Sequence, residues 1–179
     1  VKHRIIVALV LLTSACGRAP APAAQSAAPS AQAQLDQMDT RRPVPLLPMM
    51  ANHQKQNMRE HLEAVQDIVL ALASDNFEGV ATAAGRIGYS EQMGRMCSHM
   101  GAGAPGFTEQ ATGFHRTADR ITAAARDRDR TRVLAELGAT LRTCTSCHAT
   151  WRQQVVDDAT WRRSTASAPP SGPAMHRAH

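Results

Sequence analysis

The stretch RTCTSCHATWR, Arg142 to Arg152, decides how this chain is read. Cys144 and Cys147 flank two residues, and His148 follows at once. Only one tyrosine, three phenylalanines and two tryptophans occur among 179 residues, so two thiols and an imidazole in five positions are a concentration of chemistry. Leu134, Leu137, Leu141, Cys144, His148, Trp151 and Val155 recur at spacings of three and four. That period predicts a helix from near Asp129 or Thr131 to about Asp157, with the cysteines and His148 on its inner face.

Outward from this stretch the pattern is helical throughout residues 49–161. β-branched residues never alternate over a useful length, which argues against strands. A first helix is expected over 50–73, with Met58, Leu62, Val65, Ile68, Val69 and Leu72 on one stripe. Asp75 or Asn76 caps a second, from Phe77 to about Ile87, stopped by Gly88. Ser90 caps a short piece over EQMGRMCSHM, and GAGAPG ends it. Thr108 caps the next helix, which runs to about Arg126 with Phe114, Ala118, Ile121 and Ala125 inward. Four main helices with short connections give an all-α fold, an antiparallel four-helix bundle. A bundle this poor in aromatics has a thin core, and a flat apolar cofactor between helices would supply the missing volume.

C-x-x-C-H is the attachment signature of haem c. Two thiols one helical turn apart can each add across one vinyl group of a porphyrin, and the adjacent imidazole can then ligate the iron. Other readings fit less well. A redox dithiol normally opens a helix in a βαβ setting, which this chain lacks. A zinc site needs a second Cys/His pair at zinc spacing, and Cys97 with His99 is a loose match. A disulfide between Cys144 and Cys147 would be strained within a helix.

The motif in the last helix, continued as CHATWR, resembles the class II c-type cytochromes, the cytochrome c prime group. Their motif lies near the C-terminus and continues with two residues, an aromatic and a base, here Trp151 and Arg152. The first helix and NFEGVATAAGRIG also resemble that group, so the similarity covers roughly residues 50–161. The segment MCSHMGAGAPGF departs from the group's middle loop. The resemblance implies one covalent haem c held by Cys144 and Cys147, with His148 as proximal iron ligand. In low-spin relatives a methionine of the first helix takes the opposite position, and alignment from Phe77 puts Met58 there. A thioether there raises the reduction potential. The implied function is electron transfer with redox partner proteins, without chemical change of a substrate. The alternative is a five-coordinate cytochrome c prime that binds nitric oxide or carbon monoxide, with Met58 merely lining the pocket.

His61, one turn beyond Met58, is the rival distal ligand. His53, Met49 and Met50 sit near the helix start. Met93, Met96, Cys97, His99 and Met100 form a cluster of soft donors that could bind copper or pack the loop. A third reading, a non-haem metal or interaction protein, would use Cys97, His99, Cys144, Cys147 and His148. His115 and Asp119 read as a structural pair. Arg59, Arg142 and Arg152 are candidates for the haem propionates.

Residues 1–15 begin with Lys2 and Arg4, continue apolar from Ile5 to Leu12 and end in small residues, the layout of a secretory signal. LTSAC resembles a lipobox, which would make Cys16 a lipid anchor for a periplasmic protein. Residues 16–48, rich in Ala, Pro, Gln and Ser, read as a disordered linker, and 162–179, with His176 and His179, as a disordered tail. The net charge of +5 falls to +3 without Lys2 and Arg4. It forms no basic block with interleaved aromatics, so nucleic acid is not an expected partner. Homodimers are common in the resembling family.

Overall fold

The computed structural model describes residues 28–166. The signal segment, Cys16 and the tail histidines lie outside them. The described residues are mostly helical, with a single two-stranded sheet among them. None of their helices is long and apolar enough to cross a membrane.

The chain divides after Asp39 into two units. The first contains a short helix, α1 (Ala31–Met38), capped by the Ser30 hydroxyl, which accepts from the Ala33 N–H at 3.2 Å. None of its residues is buried. This helix falls in the tract read from sequence as unstructured linker.

The second unit opens with a strand, β1 (Arg42–Leu46), also within that tract. Then follow α2 (Pro48–Ala73), α3 (Phe77–Arg86), α4 (Glu91–Gly101), α5 (Phe107–Arg126) and α6 (Arg130–Thr150). A second strand, β2 (Trp151–Val155), and α7 (Asp158–Thr165) complete it.

Local chemistry sets most of these ends. Pro48 starts α2 at a position where a missing N–H costs nothing. The side chains of Asn76, Ser90 and Asp129 cap α3, α4 and α6. The cap of α5 differs from the expected Thr108: the helix begins after Gly106, whose φ of 93° suits only glycine well. The Thr108 hydroxyl instead donates to the Cys97 carbonyl at 3.4 Å.

The last long helix stops at Thr150, seven residues before the expected end at Asp157. Trp151 turns extended, with φ −119° and ψ 144°, and β2 pairs in parallel with β1 from Arg42 opposite Trp151 to Leu46 opposite Val155. The alternating prolines of RPVPL hold the preceding residues extended and bar helix. Both strands are edges, where a proline without N–H is tolerated. Trp151 anchors the junction. Its indole N–H donates to Gln110 Oε1 at 2.7 Å, Phe107 meets it edge-on at 5.7 Å, and the Arg42 guanidinium lies 4.2 Å over its ring.

The interior is built in three apolar clusters. One joins Ile68 and Leu72 of α2 to Val80 of α3, Ile121 of α5 and Val133 and Leu137 of α6. A second joins Val44, Leu46, Ala51, Met100, Phe107 and Trp151 around the sheet. The third, Ala64, Ile87, Phe114 and Ala118, lies against Cys144. A buried hydroxyl pair, Thr140 donating to Thr117 at 3.0 Å, locks α5 to α6.

The order of packing positions the site. Helix α2 packs on α3, α3 on α5, and α5 on α6, whereas α2 and α6 do not pack along their length. They are nevertheless joined at both ends. Arg130 at the start of α6 pairs with Asp75 just past α2. Gln153, just past α6, donates to the Ala51 carbonyl at 3.2 Å and to Gln54 Oε1 at 2.6 Å. The two helices therefore run antiparallel with few direct contacts along their length, although Ile68 and Leu72 share a core cluster with Val133 and Leu137.

Leu46 is fully buried in β1. Leu46→Ala is expected to destabilise the chain by about 2 to 5 kcal/mol in denaturant unfolding; no loss would mean that 42–46 is the loose tract its composition suggests.

Candidate functional site

Cys144 and Cys147 stand one turn apart on α6, both half-buried. Cys144 packs against the Ala64–Phe114 cluster and Cys147 against the cluster around Trp151. Both thiols are free, as is the buried thiol of Cys97. Burial pushes the Cys144 and Cys147 thiols above their ordinary pKa, and Cys144 adds to the effect on Cys147. Burial, reinforced by nearby Cys147, pushes Cys97 up from 9.0 to about 11. All three thus stay protonated near neutral pH.

His148 differs from its expected place on the inner face. It is exposed, next in sequence to Cys147 but rotated away from the core. Its backbone carbonyl accepts from Arg41 at 3.2 Å, while its imidazole makes no hydrogen bond or ring contact among the described residues. The inward residues of α6 are Val133, Leu137 and Thr140. Leu134 and Leu141, expected on the same inner stripe as His148, are 53% and 43% exposed. Val155, also expected there, belongs to β2 and is exposed.

Helix α2 shows the same displacement. Ala51, Gln54, Ala64, Ile68 and Leu72 are buried, but Met58 is 38% exposed and Leu62, a turn later, 70%. Val69 is half exposed on the same flank. At 100° per residue, Met58, Leu62, Val65 and Val69 occupy one stripe beside the buried face. Leu134, Leu137, Leu141 and His148 do likewise on α6. The stripes read from sequence are split: Ile68 and Leu72 of α2 and Leu137 of α6 enter the core, whereas Met58, Leu62, Val69, Leu134 and Leu141 are left exposed.

His61 points elsewhere. Its ring stacks on Phe114 at 4.6 Å and meets His115 edge-on at 5.3 Å. Burial first, then the neighbouring His115, lowers its pKa from 6.5 to about 4. His115 donates from Nδ1 to the Ile87 carbonyl at 2.8 Å. Asp119, expected as its partner, accepts from the Tyr89 N–H at 3.1 Å. Both hold the α3–α4 connection through separate hydrogen bonds, and the Asp119 charge also acts on the His115 imidazole, opposing the lowering of its pKa by burial. Arg59 and Arg142 are exposed and Arg152 is half-buried.

The MCSHM cluster is dispersed. Met96 meets α2, its sulfur 3.0 Å from His53 Nε2 and 3.6 Å from Asn57 Nδ2. Cys97 and Met100 are buried, and His99 lies against Trp161 at 5.5 Å. No group of three or more His, Cys, Asp or Glu side chains among the described residues is arranged to hold a metal ion. The five-residue ligand set of the non-haem reading is therefore not assembled. The approach of His53 to Met96, between residues 43 positions apart, had no sequence signal beyond residue type.

The arrangement can anchor a planar group at two thiols beside an unencumbered imidazole, along an apolar side bounded by α2 and α6. The burial of His61 also makes the chain acid-sensitive. Between the unfolded pKa of His61, 6.5, and its folded value of about 4, the unfolded chain binds more protons. This stability is full above the upper value and is lost as the pH falls through the window. Denaturant titrations across this range should show it, with a shallower slope in His61→Leu; a flat profile would contradict the burial of the ring.

No protein-family model, curated protein or solved structure matches the chain.

Proposed function

We propose that this chain is an exported, periplasmic monohaem c-type cytochrome, an antiparallel four-helix bundle of class II type that carries electrons. The observation that carries the reading is the C-x-x-C-H motif at the end of α6, a helix that also leaves Leu134 and Leu141 exposed. The residues fit the group. Cys144 and Cys147 are free and a turn apart, as attachment through two thioethers requires, and the His148 imidazole is exposed with no hydrogen-bond partner among the described residues. The apolar flanks of α2 and α6 are the walls such a group needs.

When bound, the haem supplies a one-electron couple between ferric and ferrous iron. The chain does the rest. Cys144 and Cys147 would hold it covalently, so fluctuations of the bundle would not release it, and His148 and Met58 would supply the imidazole and thioether for its iron. The Met58 thioether is not committed to the core, being 38% exposed, and it lies one turn from Gln54, which Gln153 ties to the end of α6. His61 is occupied by Phe114 and would have to leave that stack to serve. Leu62, Val69, Leu134 and Leu141 exclude water, which favours the lower-charged site. The N-terminal signal, with Cys16 as a lipid anchor, places the protein where redox partner proteins are met.

Visible spectra of the chain produced with haem-maturation machinery test this reading. Low-spin bands in both oxidation states are expected, and Met58→Ala should turn them high-spin and open the iron to carbon monoxide. Low-spin bands unchanged in Met58→Ala would remove Met58 from the iron. High-spin bands in the parent that respond to nitric oxide would favour the five-coordinate alternative.

A further inference from the structure

We propose that His53, Met96 and Met50 form a binding site for a soft monovalent metal ion, copper(I), distinct from the C-x-x-C-H motif. The site lies where α4 crosses the first turns of α2. His53 Nε2 and Met96 Sδ approach to 3.0 Å. Met50, one turn before His53 on α2, packs half-buried in the same apolar cluster as Met96. The next turn of α2 supplies Asn57, whose amide donates to the Met96 sulfur at 3.6 Å and fixes its direction.

The donor chemistry selects the ion. Thioether sulfurs are soft, neutral and poor ligands for hard cations, whereas copper(I) accepts two of them with one imidazole. Three neutral donors leave the bound ion with a single positive charge, which a half-buried site tolerates better than a divalent one. Two donors bound at about 2.0 and 2.3 Å around one metal stand about 3.5 Å apart. The 3.0 Å pair therefore needs to open by only about half an ångström on those bond lengths. His53 is exposed, so its ring can swing by that amount and its side is the entry path. Cys97, though adjacent in sequence, is buried near Cys147 and takes no part.

Silver(I), a redox-inert stand-in for copper(I), is the probe. It is titrated into the full chain in two forms, one carrying haem and one with Cys144→Ser and Cys147→Ser, in competition with a copper(I) chelator. One equivalent should be retained in both. Loss of an outer-shell partner already costs about 10- to 100-fold in metal affinity, so His53→Gln and Met96→Leu should each weaken binding by about tenfold or more. Leucine keeps the packing volume, so the loss reports the sulfur. Cys97→Ser should leave binding unchanged. Retention unaltered by His53→Gln and Met96→Leu would overturn the site, as would loss in Cys97→Ser. A change of the haem bands in Met96→Leu would put that sulfur on the iron and also overturn it. Failure of haem attachment would leave the serine form as a valid test.

Discussion

Everything near the motif depends on how α2 and α6 are held: tied together at both ends, sharing one core cluster, and making few direct contacts along their length. The Arg130–Asp75 pair closes one end and the Gln153 bonds to Ala51 and Gln54 close the other. Met58, Leu62 and Val69 of α2 and Leu134 and Leu141 of α6 are apolar side chains left exposed. Covering a Leu or Met side chain contributes about 1.5 to 3 kcal/mol when complete. A partial cover over five of them is already of the order of a small domain's whole stability, about 5 to 15 kcal/mol. Such a side has a strong physical reason to acquire an occupant. The proposed haem, anchored by two thiols on one wall, is an occupant that cannot diffuse away.

The motif and the walls divide the labour. Burial keeps Cys144 and Cys147 protonated, which slows their oxidation. It is their adjacency on one turn, and not an activated thiolate, that suits them to paired attachment. The exposed His148 completes the set without having to break an existing bond. His61, in contrast, is committed to Phe114 and His115. The His61 face of α2 is thus packed against α5, whereas Met58 and Leu62 on its flank are apolar and exposed.

Much of this was legible in the sequence. The caps at Asn76, Ser90 and Asp129 are short-range chemistry, and they set three helix starts as read. The apolar periods of α2 and α6 hold in part: Ile68, Leu72, Leu137 and Trp151 are buried as read, whereas Met58, Leu62, Val69, Leu134, Leu141 and Val155 are exposed. Periodicity reports that a face is apolar; it does not report whether a neighbour covers it. The parallel pairing of β1 with β2 was invisible because each strand is five residues long and its partner lies some hundred positions away. RPVPL looks like linker, and WRQQV continues a helical period. The indole of Trp151, fixed by Gln110, Phe107 and Arg42, overrode that local preference. For the same reason the soft-donor cluster read as a unit in MCSHM is split by the helix into residues facing α2, the core and Trp161.

The central claim is that the motif on α6 carries a haem covalently, and the intact mass of the chain made with haem-maturation machinery tests it most directly. The account predicts a gain of one haem per chain, together with the loss of two titratable thiols and no gain when Cys144 and Cys147 are both serine. An unchanged mass with the full complement of free thiols would contradict it.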